Sequence, residues 1–227
     1  MMDISENIRN IIERVDKSAK KSKRSKDDIT IVAVSKTVNA ESVVQAAKAG
    51  MKDFGENRVQ EFLKKREEIG DEVNWHIIGP LQRNKVKFIL DGVTLLHSLD
   101  RLSLAEEIEK QCEKLRTNLD VLVQVNIAKE PTKSGVFEED LEKFLESLSV
   151  LRNVRVKGLM AIPPYSLDPD GNRKYFARMR VLYDTFKNFS DGFEYLSMGM
   201  SGDFEAAIKE GANIIRIGTA VFGARSY

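Results

Sequence analysis

A single cysteine, Cys112, excludes an internal disulfide. It lies among charged residues in a helical stretch and carries no activating motif. The two histidines, His76 and His97, make no recognisable metal motif with it, and both read as structural. A basic excess is missing too. The 36 Lys and Arg stand against 35 Asp and Glu, a formal net charge of +1, so the footprint of a nucleic-acid binder is absent. No apolar run approaches the ~20 residues that a membrane helix needs. The N-terminal stretch MMDISENIRNIIERVDKSAKK lacks the short apolar core of a secretory signal. No linker rich in Pro, Gly or Ser, no low-complexity tract and no internal repeat divides the chain. These absences predict a cytoplasmic, monomeric protein with no nucleic-acid or membrane partner, folded as one domain over residues 1–227.

What is present is a regular alternation. With 42% of its residues hydrophobic, the chain has ample material for a packed core. Ile4, Ile8, Ile11, Ile12 and Val15 recur at helical spacing and predict an N-terminal helix. Apolar runs of strand type follow at about 29–35, 52–55, 74–79, 93–98, 119–127, 154–161, 193–198 and 213–218. Between them lie amphipathic helical stretches, such as RLSLAEEIEKQCEKLR, FEEDLEKFLESLSVL and RKYFARMRVLYDTFKNF. NKVKFIL and DFEAAIKEG carry the pattern more weakly. Strands alternating with helices imply crossover connections and a parallel sheet. Eight strands is the count that closes a TIM-type (β/α)8 barrel, and the first turn, Ser35-Lys36-Thr37, lacks the glycine of a doubly wound sheet. The predicted fold is therefore an α/β protein, a (β/α)8 barrel with an extra N-terminal helix.

In such barrels the chemistry sits where the strands end. At the seventh and eighth ends, SMGMSGD and RIGT supply Gly199, Ser201, Gly202, Gly218 and Thr219. Small residues let a ligand approach the backbone, and free N–H groups with hydroxyls suit an anion such as phosphate. Ordinary turn glycines, with Asp203 as a helix cap, are the other reading, and Asp203 is expected to cap in either case. Arg216 shares parity with Ile214 and Gly218, so it leaves the same strand face. A buried guanidinium needs a partner, either a structural carboxylate or a ligand. Lys36 shares parity with Val32 and Val34. It is either a counter-charge or a Schiff-base nucleophile, whose ordinary pKa of ~10.4 would then have to be lowered. Lysine, phosphate cradle and arginine together suit pyridoxal 5′-phosphate (PLP), whose aldehyde, phosphate and ring nitrogen each meet one group. Lys133, in the loop after the fifth strand, reads as solvated, although it could catch PLP transiently. The polar loop PPYSLDPDGNRKY after the sixth strand either covers the site or is a surface excursion.

The stretches AVSKT, FGENRVQE, WHIIGPLQRNK, HSLDR, KSG, GLMAIP, LSMGMSGDFEAAI and RIGTAVFGAR occur in this order over nearly the whole chain. In this the chain closely resembles the pyridoxal phosphate homeostasis proteins, the YggS/PROSC family, which look like the N-terminal barrel of alanine racemase standing alone. Val38-Asn39 stand where that family usually has Lys-Pro. The resemblance implies PLP bound as an internal aldimine to Lys36, with its phosphate on Ser201, Gly202, Gly218 and Thr219. It further implies Arg216 at the pyridine nitrogen, and Asn57 and Met198 lining the cofactor. The implied role is to buffer, carry or deliver PLP, with PLP-dependent apo-enzymes as recipients. The alternative is an amino-acid racemase. Against turnover, an arginine at the ring nitrogen weakens PLP as an electron sink. In alanine racemase the second base is a tyrosine from a separate domain, and no such domain is expected here, where the chain ends at Tyr227.

Overall fold

The computed structural model describes residues 3–223. Tyr227, with Ala224 and Arg225 of the last quoted stretch, lies outside the described residues. Eight strands form a closed barrel in sequential order: β1 (Thr30–Val34), β2 (Asp53–Glu56), β3 (Asn74–Ile77), β4 (Val93–Leu99), β5 (Leu119–Val125), β6 (Val154–Ala161), β7 (Tyr195–Met200) and β8 (Ile214–Ile217). Every neighbouring pair is parallel, and β1 closes on β8 with Val32 opposite Arg216. All eight expected apolar runs are strands of this barrel.

The helices are α1 (Ile4–Lys21), α2 (Ala40–Lys48), α3 (Val59–Ile69), α4 (Leu102–Leu115), α5 (Leu141–Leu148), α6 (Arg173–Phe186), α7 (Phe204–Lys209) and α8 (Thr219–Phe222). The weak NKVKFIL pattern becomes a 3-10 segment, Arg83–Phe88, that stands in for a crossover helix between β3 and β4. Asp3 caps α1 by accepting from the Ser5 and Glu6 amides. The α1 helix then lies against α7 and α8, close to the β8–β1 closure. Asn7 donates to the Val221 carbonyl at 2.9 Å there, and Arg14 pairs with Glu205.

A strand in a closed parallel barrel has both faces covered, which is why the runs are nearly continuously apolar. Alternate residues divide between two cores. Ala33, Phe54, Trp75, Leu96, Val121, Leu159 and Ile215 join the large outer core with α4, α5 and α6. Val32, Leu95, Leu122, Met160 and Ile214 fill a small inner core. Cys112 is buried in α4, and burial pushes its thiol up to about 11, so it remains a protonated packing residue.

Candidate functional site

The inner core does not reach the carboxyl ends of the strands. Above it lies a cavity of about 570 Å³, within the usual range of small-molecule sites. Lys36, Asn57, Ser201, Gly202, Arg216, Gly218 and Thr219 all line it. These are seven residues that the sequence assigned to one site, drawn from the ends of β1, β2, β7 and β8.

The eighth, Met198, does not line the cavity. It is fully buried in the outer core, and Met200 takes the place at the cavity wall. The place of Met200 follows from a register shift between Ser197 and Met200 on the β7–β8 pair. Gly199 sits there at φ +94, and a Cβ on it would come within 2.6 Å of the Ala207 Cβ. Glycine is therefore required both by the backbone and by the close approach of α7. Met198 faces outward by simple alternation with the inward Ser197, and the bulge then turns Met200 inward, where alternation would have turned it out.

Ser201 reaches across to the next loop. Its Oγ accepts from the Gly218 amide at 3.2 Å and the Ala220 amide at 3.4 Å. The two glycine-bearing loops are thus held side by side. A Cβ on Gly202 would meet no protein atom within 4 Å. The protein's own packing makes no demand for glycine there, which leaves space for an occupant to reach the backbone. Asp203 occupies the cap position of α7 but makes no capping bond. Its carboxylate instead accepts from the Met200 amide at 2.7 Å and the Asn172 side chain at 2.8 Å, tying the β7 loop to the loop after β6. The expected cap is replaced by a loop-to-loop tie, because the carboxylate turns back toward these two donors.

Arg216 is buried, and among the described residues it pairs with no carboxylate. NH1 donates to Ser197 Oγ at 2.5 Å and NH2 to the Ala161 carbonyl at 2.8 Å. Burial pulls its pKa down to about 10, partly offset by Asp203, so it stays a cation at neutral pH. A guanidinium has five N–H donors, and these bonds use two of them. The structural-carboxylate reading of Arg216 is therefore replaced by a neutral hydroxyl and a carbonyl, with donors to spare beside the cavity.

Lys36 leaves β1 on the cavity side, and the backbone around it is held from α3. Lys65 Nζ donates to the Ser35 carbonyl at 2.6 Å, and the Thr37 amide donates to Glu61 Oε2 at 2.7 Å. Thr37 has φ +63, a left-handed conformation that a β-branched residue rarely adopts. Lys65 also pairs with Glu56 at 2.5 Å, and Ser35 Oγ donates to the same carboxylate at 2.7 Å. Burial raises the Glu56 pKa, with the Lys65 and Ser35 contacts acting against that rise. The pair was not anticipated, although a glutamate ending the apolar strand β2 was its visible signal.

Three further groups take definite places. Lys133, read as solvated, lines the cavity, donates to the Pro163 carbonyl at 3.2 Å and pairs with Glu130 at 2.7 Å. Pro164, Tyr165 and Ser166 also line it, so the loop after β6 covers the site. Gln124 and Asn126, polar residues of one parity on and just after β5, complete the wall and were missed. Asn126 donates to the Glu130 and Lys133 carbonyls and shapes that loop. His76 and His97 lie inside the barrel, bonded to each other at 2.9 Å.

Comparisons with known proteins place the chain in a family and match its fold. The family model described as alanine racemase, N-terminal domain, matches residues 4–226. A protein of Aquifex aeolicus named pyridoxal phosphate homeostasis protein is 45% identical over 228 residues, covering 100% of both chains. The structure of PipY from Synechococcus elongatus with PLP bound superposes with a TM-score of 0.83 at 32% identity, over 97% of this chain and 100% of that one. An alanine racemase from Bartonella henselae with covalently bound pyridoxal phosphate reaches a TM-score of 0.75 at 14% identity. It covers 98% of this chain and 58% of its own, a likeness of fold alone.

Proposed function

Because this chain belongs to the family of pyridoxal phosphate homeostasis proteins, we propose that its cavity holds PLP, attached covalently to Lys36, and that the protein buffers and delivers this cofactor without catalytic turnover. The observation that carries the reading is the convergence of an amine, a buried cation and a hydroxyl-and-amide cradle on one cavity. The donor set fits the molecule. PLP supplies an aldehyde that condenses with an amine, a phosphate dianion and an aromatic ring with a basic nitrogen.

In this reading Lys36 is the amine that would hold PLP covalently through its aldehyde. The tie from Lys65 to the Ser35 carbonyl and from the Thr37 amide to Glu61 fixes the backbone on both sides of that amine. Ser201, Gly202, Gly218 and Thr219 receive the phosphate. Arg216 would donate to the ring nitrogen, and Asn57 and Met200, which line the cavity, would bound the ring. A donor-only guanidinium leaves the ring nitrogen without a proton, which suits holding the cofactor better than stabilising a substrate carbanion. PLP-dependent apo-enzymes are the proposed recipients.

The test is an absorption spectrum of the PLP-loaded protein before and after borohydride, followed by peptide mapping. The expected result is a pyridoxyl group on the peptide containing Lys36 and loss of the absorption band in Lys36→Ala. Labelling chiefly at Lys133 would overturn the assignment. Chiral analysis after long incubation should find negligible racemisation of alanine. Sustained turnover abolished by Lys36→Ala would make the protein an enzyme.

A further inference from the structure

The polar groups inside the barrel form one continuous line. Arg216 NH1 meets Ser197 Oγ at 2.5 Å, and Ser197 Oγ meets His97 Nδ1 at 3.0 Å. His97 Nε2 meets His76 Nδ1 at 2.9 Å, and His76 Nε2 meets Asp53 Oδ1 at 3.1 Å. Ser197, His97 and His76 are buried, while Asp53 is partly exposed at the amino-terminal end of β2 and also accepts from Asn74 at 3.1 Å. The line therefore runs from the cavity down to the far end of a strand.

Its direction follows from the chemistry of its two ends. A guanidinium can only donate, so Ser197 Oγ accepts from it, and at the other end the Asp53 carboxylate accepts from His76 Nε2–H; with one proton on each ring, this sends the Ser197 hydrogen to His97. His97 Nδ1 then carries no proton, and its Nε2 does. His76 Nδ1 must accept that proton's bond, which leaves His76 Nε2–H to donate to the Asp53 carboxylate. Each ring in this arrangement carries its proton on Nε2. Every hydrogen bond points the same way, from the Arg216 cation to the Asp53 anion. With one proton on each ring, reversing any one of them would set two donors or two acceptors face to face in a dry interior, an expensive arrangement. Burial, together with the Arg216 charge and the adjacent His76, holds His97 well below its ordinary pKa, in keeping with a neutral ring.

We propose that Ser197, His97, His76 and Asp53 are positioning residues: a one-directional hydrogen-bond chain that holds the Arg216 guanidinium against the cofactor ring and carries the effect of cofactor binding to the two histidines. This inference rests on the PLP reading of the cavity, although the direction of the chain does not. The polarised line orients NH1 and leaves the other donors for the ligand. A donor engaged by the ring nitrogen alters the bond to Ser197, and the cooperative chain passes that change to His97 first and His76 second.

Because the chain has only two histidines, labelling histidine with 15N gives a spectrum of these two rings alone. Without PLP, both rings should appear as neutral Nε2–H tautomers. An Nδ1–H tautomer or an imidazolium at His97 would overturn the chain. PLP is then added, with occupancy followed separately by absorbance. The His97 ring nitrogens should shift, and those of His76 should shift less. In Ser197→Ala, PLP should still load, but release about two- to tenfold faster, as expected for one lost hydrogen bond. The His97 response should disappear in that variant and return in Ser197→Thr, which keeps the hydroxyl. A silent His97 in the fully loaded native protein, or an equal response in Ser197→Ala, would overturn the positioning role. The native-protein arms stand even where a variant fails to fold. Failure of PLP to load at all would overturn the PLP reading and the positioning role with it, while the tautomers measured without PLP would still decide the chain's direction.

Discussion

Two buried charged clusters lie on opposite sides of the barrel wall, and they bury charge in different ways. Outside, under α3, Lys65 and Glu56 meet directly at 2.5 Å, and the pair braces the backbone of Ser35. Inside, among the described residues, Arg216 has no such partner, and its charge is separated from Asp53 by a hydroxyl and two imidazole rings. The direct pair is made through Glu56 Oε1 and faces α3 rather than the cavity, although Glu56 Oε2 finds no partner among the described residues, so the outer cluster stabilises and positions. The inner cluster is satisfied at one end and leaves guanidinium donors beside the cavity. The difference separates a structural charge from a ligand-facing one more clearly than burial, which is nearly complete in both.

The largest effect is expected from breaking the outer pair. Lys65→Met leaves the Glu56 carboxylate buried without its cation, and should lower stability by about 3–5 kcal/mol at neutral pH. For a chain of this size that is a fall in thermal midpoint of roughly 6–20 °C. The double variant Glu56→Gln with Lys65→Met should be less destabilised than Lys65→Met alone, as denaturant titration would show. Equal losses would mean that the pair is not coupled.

Arg216→Met attacks the inner cluster and should reverse the balance. Ser197 and the Ala161 carbonyl each lose a donor, for about 1–3 kcal/mol of stability. PLP retention, measured by equilibrium dialysis, should fall by more than tenfold, because the lost contact to the ligand is charge-assisted. A stability loss as large as that of Lys65→Met, with unchanged retention, would erase the proposed contrast.

The third test uses pH. The folded state holds the Glu56 proton to a higher pH than the unfolded chain, whose glutamates titrate near 4.3. Above that value the native state binds more protons than the unfolded state, so this group's contribution to stability falls as pH rises toward the folded pKa. Thermal midpoints measured between pH 4 and 7 should show this downward contribution in the native protein and lose it in Glu56→Gln. The penalty of Lys65→Met should shrink at the acid end of the same range, where Glu56 becomes neutral.

The smallest effect on stability is expected at Met200. It borders the cavity rather than the core, so Met200→Ala should change stability by about 0.5 kcal/mol or less while weakening PLP retention measurably. Met198→Ala, in the packed outer core, should cost about 2–5 kcal/mol and leave the cavity's lining unchanged.

Much of this molecule is readable along the chain. Eight apolar runs separated by amphipathic helices lead to the barrel, because in a closed parallel sheet each strand must be apolar on both faces. Once the barrel is assumed, chemistry belongs at the strand ends, and Lys36, Ser201, Gly202, Arg216, Gly218 and Thr219 follow from position and parity, while Asn57 follows only from the resemblance. These are local rules of period and turn chemistry, and local rules survive folding wherever nothing interrupts the period. At Gly199 something does, and the bulge packed on α7 brings Met200 to the cavity, while the period up to that point keeps Met198 in the outer core. Other features depend on register between residues far apart in sequence. Asp53, His76, His97, Ser197 and Arg216 span five strands, and no spacing along the chain announces that they touch. Lys65 looks like any lysine of an amphipathic helix until α3 is laid over β1 and β2. Closure of the barrel alone brings these groups together, and their exclusion from water turns ordinary polar residues into paired charges and a directed chain.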